Sequence, residues 1–386
     1  VRIAYCTNVR LPSERAHGHQ IAQVCDALVH LGHEVEIFAP YRKNPVTESY
    51  WNYYASNQNV QLHHLGTVDF IASAWTPGVC GLFMMNVMLR RSLRNVLRSG
   101  SFDLLYTRTP ALLSTLLASG IPTILELHQL PRWRRGAFVE RCNTCRVVSC
   151  LTSPMRAELA RWGVNPGHLI MEGDAVDLQR FQDMPSKDEA RNTFGISADR
   201  LIVGYVGKLR TLGMEKGVGI LLESLKKTQE EKLFMGLVVG GPEDDRRSYE
   251  RMSNDLGLTQ EDILFLGEIP SRDVPVALAA CDVLVMLFPN LPHYALHMSP
   301  LKMFEYMASG KPIIASDLPT VRDVLSEESA FFFPPGDTER FVDTLRFLRD
   351  SPAEAEKRGK KARRLVEHHT WEERMGRILH TAHLCT

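Results

Sequence analysis

The chain has 386 residues, a length that suits two domains, and its 44% apolar and 23% charged residues are the proportions of a soluble globular protein. Lysine plus arginine equals aspartate plus glutamate, 45 against 45, so no net charge argues for a nucleic-acid partner. Eight cysteines are scattered at 6, 25, 80, 142, 145, 150, 281 and 385 and read as reduced thiols of a cytoplasmic protein; Cys142, Cys145 and Cys150 have no second Cys/His pair near by to complete a metal site.

Taken in order, the first half reads as strand–helix units. Strands are predicted at Ile3–Cys6, Glu34–Pro40, Val60–Leu65, Leu104–Thr107, Thr123–Leu127, Val147–Leu151 and Leu169–Met171, with helices over Gly18–Leu31, Asn86–Leu97 and Met155–Trp162. Alternation of this kind implies a parallel sheet covered on both faces, with ligands at the C-terminal strand ends. His17 and Gly18 lie near a helix start, and Arg108 follows the fourth strand. Glu126 and His128 share a face at the end of the fifth, because strand side chains alternate. The chain opens on a strand, so no leader is expected. Residues 70–89 carry no charge but include Thr76, Pro77, Gly78, Gly81 and Asn86, too polar a set for a membrane span. The default there is a buried helix with an approach loop; peripheral contact with a membrane or an apolar acceptor is the alternative. Trp133, Arg134, Arg135, Arg141 and Arg146 form a basic stretch, read as a solvated face or, alternatively, as an attraction for a phosphate-bearing or lipid-phosphate acceptor or an anionic membrane surface. Tyr41, Tyr50, Trp51, Tyr53, Tyr54 and Trp75 suit either ligand stacking or core cover.

QDMPSKDEAR (182–191) is the expected linker, giving domains 1–183, rejoined by a final helix 370–386, and 184–369. The second half repeats the pattern. A strand at Leu201–Gly207 is followed by Lys208, Arg210 and Lys216, with a helix over Val218–Lys227. Basic groups at a strand end and at the next helix start form a phosphate trap. Further strands are predicted at Gly236–Val239, Ile263–Leu266 and Val283–Leu287, and Asp244-Asp245 reads as a solvated turn.

The stretch 297–319, HMSPLKMFEYMASGKPIIASDLP, reads as loop, helix, turn and buried strand. Ser299 suits an N-cap, Pro300 the first helical position and Gly310 the stop. Leu301, Phe304 and Ala308 share one face; Lys302, Glu305 and Ser309 share another. The free amides at Ser299–Lys302, the helix dipole and Lys302 suit a phosphate, and Glu305, a turn deeper, suits a ribose diol. Together they read as a nucleotide-diphosphate site.

SPLKMFEYMASGKPIIASDLP resembles the donor-binding segment of the retaining glycosyltransferases of the GT-B type, family four (glycosyl transferases group 1). GHEV (32–35), MEGDAVDLQRF (171–181) and the segment around Ala330–Asp337 are similar in the same order. The resemblance implies an α/β fold, GT-B, of two Rossmann-like α/β/α domains facing across a cleft, with the last helix returning to the first domain. It implies diphosphate contacts at Lys208 and Lys216, base contacts at Glu268 and Ile269, and a sugar contact at His128. His17, Gly18, Arg108, His297 and Met298 fall on the sugar or acceptor side. Two departures stand out: Arg15-Ala16 replaces the family's glycine pair, and His297 stands where the family has the first glutamate of its Glu-x7-Glu motif.

The expected function is transfer of a sugar from a UDP- or GDP-type donor, UDP favoured, with retention, no metal and no further cofactor. The expected acceptor is a carbohydrate, lipid-linked or small molecule, and no nucleic acid is involved. The expected location is cytoplasmic, with the inner face of a membrane as an alternative. A sugar-nucleotide 2-epimerase of the same form and a non-catalytic nucleotide-sugar-binding protein are the competing readings.

Overall fold

The computed structural model describes residues 1–69, 78–131, 134–196 and 200–383. The chain divides into two units, Val1–Gly173 with Trp371–Thr386, and Asp174–Thr370.

Unit 1 holds a seven-stranded sheet: β1 Arg2–Cys6, β2 Glu34–Pro40, β3 Gln61–Leu65, β4 Leu104–Thr107, β5 Thr123–Leu127, β6 Val147–Cys150 and β7 Leu169–Met171. Their order is β3-β2-β1-β4-β5-β6-β7, and every pairing is parallel. The order reverses between β1 and β4, which is where ligands of such sheets gather. Alternating side chains feed the two faces. Ala4, Cys6, Phe38 and Leu105 pack under Leu89, Leu93 and Leu97 of the helix Val79–Ser99. That helix begins earlier than its predicted start at Asn86, and its first two turns leave large apolar side chains in solvent instead of burying them. Residues 70–77 and Trp133, singled out in the sequence, lie outside the described residues. Tyr50 and Tyr54 are buried in the short helix Tyr50–Tyr54, and Trp51 donates to the Val60 carbonyl at 2.9 Å, so these rings cover the core.

On another part of the sheet, Tyr5 stacks on Tyr106 at 5.2 Å, and Glu126 follows on the neighbouring strand. The helix Trp371–Thr381 brings Arg374, 1% exposed, to Glu126, 2% exposed, at 3.0 Å. Arg374 also donates to the Gly173 carbonyl at 2.6 Å, and Arg377 forks onto Glu172 at 2.7 and 2.8 Å. The last helix thus belongs to unit 1 through charge as well as through Trp371, Met375 and Ile378.

Unit 2 holds β8 Leu201–Val206, a two-residue hairpin of β9 Arg210–Thr211 and β10 Met214–Glu215, then β11 Phe234–Val239, β12 Ile263–Leu266, β13 Val283–Met286, β14 Ile313–Ser316 and β15 Phe331–Phe333. The main sheet is parallel with order β12-β11-β8-β13-β14-β15, and reverses between β8 and β13. The predicted linker is not one. Val176 and Phe181 are buried in this unit's core, and Ser186 opens a helix over Lys187–Phe194 with a reciprocal Ser186–Glu189 capping box. The divide therefore falls at Gly173, ahead of residue 183.

Removing one partner of a buried ion pair leaves the other charge unpaired, so Arg374→Met is expected to cost about 3–5 kcal/mol in urea unfolding of the whole chain. Burial pushes the Glu126 carboxyl up, but Arg374, the His128 hydrogen bond and Arg108 outweigh it and hold the group well below the usual carboxylate range. Its contribution is then complete above the unfolded carboxylate value of about 4.3 and is lost as pH falls toward the depressed folded value. Glu126→Gln should flatten that acid limb.

Candidate functional site

In unit 2 the site grows from the end of β8. Gly207 follows it with φ +134°, and a Cβ there would lie 3.0 Å from Lys302 Cε and 3.4 Å from its Nζ. The missing side chain is what admits the lysine. Lys302 comes from the helix Leu301–Ser309, is 6% exposed, and sets its ammonium 3.5 Å from the centre of the Tyr205 ring. Its Nζ is buried and makes no hydrogen bond. Tyr306, one turn on, accepts from the Val206 N–H at 2.8 Å and donates to the Val206 carbonyl at 3.0 Å, pinning the helix to the strand end. Tyr205 donates to the Lys208 carbonyl at 2.8 Å, fixing the loop. Lys216 lies near Lys208 and Lys302. Burial, then Lys208, lowers its ammonium to about 8; burial, then Lys216, lowers Lys302 well below the usual lysine range. These three predicted diphosphate residues thus come together and repel one another. After the hairpin and Lys216 the chain enters the helix Val218–Lys227 through Gly217, φ +81°, where a Cβ would meet the Leu287 carbonyl oxygen at 1.8 Å.

Other predicted members are placed differently. Ser299 does not cap the helix: its Oγ accepts from the Asp174 N–H at 2.7 Å, and Pro300, in extended conformation, stands at the cap position ahead of Leu301. The cause is a long-range partner: Asp174, distant in the chain, takes the Ser299 hydroxyl as its acceptor. Arg210 does not join the lysines; its Nε meets Asp245 at 2.9 Å, so Asp245 is paired in the first turn of a helix rather than solvated in a turn. Glu305 is half-buried, with Arg180 Nη1 at 3.4 Å from its Oε1. Arg180 also donates to the Ser271 carbonyl at 2.6 Å and Oγ at 3.0 Å. Glu268 is exposed and lies against the Gly240–Gly241 turn, where a Gly241 Cβ would be 2.6 Å from its Cγ; Ile269 packs on the core. His297 has a buried Nδ1 without a hydrogen-bond partner, and burial lowers it. Burial, then His297 and Lys216, lower His293, so that ring lies near both His297 and Lys216. Met298 is buried.

In unit 1 the His128 ring meets Glu126 Oε1 through Nε2 at 2.5 Å. Tyr106 OH bonds the other carboxylate oxygen beside Arg374. Burial, then Arg108, lowers His128 to about 4, so the ring is neutral, its Nε2–H donates to the carboxylate, and the Nδ1 lone pair is left as an acceptor. Burial, then Arg108, lowers His17 to about 4, with His128 a further contributor. His17, Arg108 and His128 therefore form one cluster. Arg108 donates to Gln20 at 2.9 Å, and Thr109 donates to Asn8 at 3.2 Å across the β1–β4 reversal. Gly18 has a packing reason: a Cβ would fall 2.2 Å from the Tyr54 hydroxyl and 2.8 Å from the Ser13 carbonyl oxygen.

Sequence reading missed Arg180, Tyr205, Tyr306 and Arg374. Only Arg374 carried a signal, since it occupies the apolar stripe of Trp371, Met375 and Ile378. Among the described residues, no three His, Cys, Asp or Glu side chains gather to hold a metal ion.

The chain matches the family described as Glycosyltransferase Family 4 over residues 18–180 and the family described as Glycosyl transferases group 1 over residues 200–351. It is 25% identical over 236 residues to the putative teichuronic acid biosynthesis glycosyltransferase TuaC of Bacillus subtilis, covering 58% of this chain and 54% of that protein. For that relative the chain thus spans about half its length. Against a GDP-mannose-dependent alpha-mannosyltransferase of Mycobacterium tuberculosis it is 25% identical over 369 residues, 90% of this chain and 88% of the other. Among solved structures, HepE of Anabaena in complex with UDP superposes with a TM-score of 0.77 at 15% identity over 100% of both chains. Two parallel-sheet α/β units of this kind are the GT-B fold, and along the two units the chain resembles the glycosyltransferases of family 4 and of group 1.

Proposed function

We propose that this chain transfers a sugar from a nucleotide-diphosphate donor, UDP favoured, to a hydroxyl of a carbohydrate, lipid-linked or small-molecule acceptor, with retention and without a metal. The observation that carries the reading is the buried Lys302 ammonium, which has no hydrogen-bond partner and stands between Gly207 and Tyr205 with Lys208 and Lys216 beside it. Such a cluster is costly empty and favourable around a diphosphate. The UDP bound by HepE and the GDP-mannose named for the mycobacterial relative support a nucleotide donor.

As the bond from the anomeric carbon to the β-phosphate oxygen breaks, its electron pair stays on that oxygen, and the lysines stabilise the charge that develops there. This is the role a divalent cation plays elsewhere. The acceptor oxygen attacks from the same face and its proton passes to the leaving phosphate. Glu305 accepts the ribose diol, with Arg180 fixing its carboxylate. The neutral His128 offers Nδ1 to a sugar hydroxyl. Neutral His297, in place of a glutamate, contacts the donor sugar as a hydrogen-bonding group without a charge.

Lys302→Met removes an unpaired buried charge at similar volume. It should raise the melting temperature of the free chain while lowering UDP affinity about tenfold to a hundredfold, read by calorimetry. Only protonated Lys216 pairs with the diphosphate, so wild-type UDP affinity should decline as pH rises through about 8. A Lys302→Met chain that binds UDP as well as wild type would sink the assignment.

Glu305→Ala should weaken nucleotide binding, whereas His128→Ala should mainly lower turnover in a donor and acceptor screen, with activity retained in chelator. Nucleotide release dependent on acceptor supports transfer. Isomerised sugar still attached to nucleotide, or binding with neither product, would overturn it.

A further inference from the structure

We propose that the exposed face of the helix Val79–Ser99 is a docking surface for a bilayer bearing anionic lipid headgroups. Val79 is 84% exposed, Phe83 65% and Val87 47%, and Leu82 and Met84 are exposed beside them. Elsewhere among the described residues, exposed large apolar side chains stand singly along the chain. Concentrated in the first two or three turns, they make a patch that water does not explain. The inner face is separate: Met85, Leu89, Leu93 and Leu97 are fully or nearly buried.

The outer stripe continues at helical spacing from Phe83 and Val87 to Arg91, Arg94 and Arg98. At 1.5 Å per residue, Phe83 and Arg91 stand about 12 Å apart along the axis. Residues 79–99 contain no aspartate or glutamate. Burial, then Arg141 and Arg94, lowers Arg90, so Arg94 and Arg141 both add positive charge near it. An apolar end followed by a cationic band is the depth profile of an interface: side chains in the acyl boundary, arginines at the phosphates. A protein partner would have to supply both an apolar socket and a row of acids in register, whereas a bilayer supplies both by depth alone. The helix is too short of apolar residues to cross a membrane; among the described residues no helix qualifies.

The docked end also adjoins the site in unit 1. Asn86, on the same helix, accepts from Asn8 at 3.1 Å, and Asn8 accepts from Thr109 at the β1–β4 reversal. Resting on the proposed function, this places the acceptor side of the site at a membrane surface, where a lipid-borne acceptor is presented.

The test is flotation of the whole chain, without nucleotide sugar, on vesicles of phosphatidylcholine alone or mixed with phosphatidylglycerol. Binding is expected on the mixed vesicles only. Arg91→Ala and Arg94→Ala should each lower it about fivefold, and Phe83→Asp by at least about tenfold. The indole of a Phe83→Trp variant should shift to shorter wavelength on binding. These positions are exposed, so unchanged melting temperatures verify the fold. Absence of binding to mixed vesicles, binding indifferent to Phe83→Asp, or binding with no indole shift (adsorption by charge alone) would overturn the proposal. UDP binding measured in solution stands apart from each of these outcomes.

Discussion

A buried ammonium group set among aromatic rings with no hydrogen-bond partner is the constraint on which unit 2 depends. Lys302 can reach the end of β8 only because Gly207 has no side chain, and it can remain there because Tyr205 offers its ring face. Tyr306 secures the arrangement by bonding both backbone groups of Val206. The turn that carries the chain from Lys216 into the next helix depends on Gly217, whose backbone lies too close to Leu287 for any Cβ. Glycines and tyrosines thus do the positioning and lysines carry the charge.

Unit 1 solves the opposite problem. Its buried charge, Glu126, is fully engaged: Arg374 and Tyr106 on one oxygen, His128 on the other. The result is a neutral, oriented histidine at a strand end. One unit leaves a buried ammonium without a hydrogen-bond partner, the other engages its buried carboxylate internally and so orients a ring. The lysine device sits at the reversal of strand order in its sheet, beside β8, where flanking loops diverge and leave space; the histidine device sits at the end of β5, next to β4 on one side of the reversal in the other sheet.

Strand positions were legible because buried parallel strands are short apolar runs between glycines and polar loops; β2, β4, β5 and β12 match their expected limits. The gathering of Lys208, Lys216 and Lys302 was legible because lysines at a strand end and a helix start are out of place in a core. What escaped depends on long-range partners. Ser299 looks like a cap until Asp174 is seen to donate to it. Arg210 looks like a phosphate ligand until Asp245 claims it. Arg180 has no local pattern, since Glu305 and Ser271 meet it only after folding. The apolar run after residue 78 was read as buried because composition reports hydrophobicity and not which face is covered; the covered face is Met85, Leu89, Leu93 and Leu97, and the rest is surplus.

The return of the last helix to unit 1 has a consequence for how the molecule is made. During synthesis Glu126 leaves the ribosome long before Arg374, and all of unit 2 is translated in between. Domains fold as units in the order they emerge. Unit 2 therefore has its whole sequence available while unit 1 still holds an unmatched buried carboxylate. The first domain in the sequence is the last to be completed, and the histidine oriented by that carboxylate is set only when the final helix arrives.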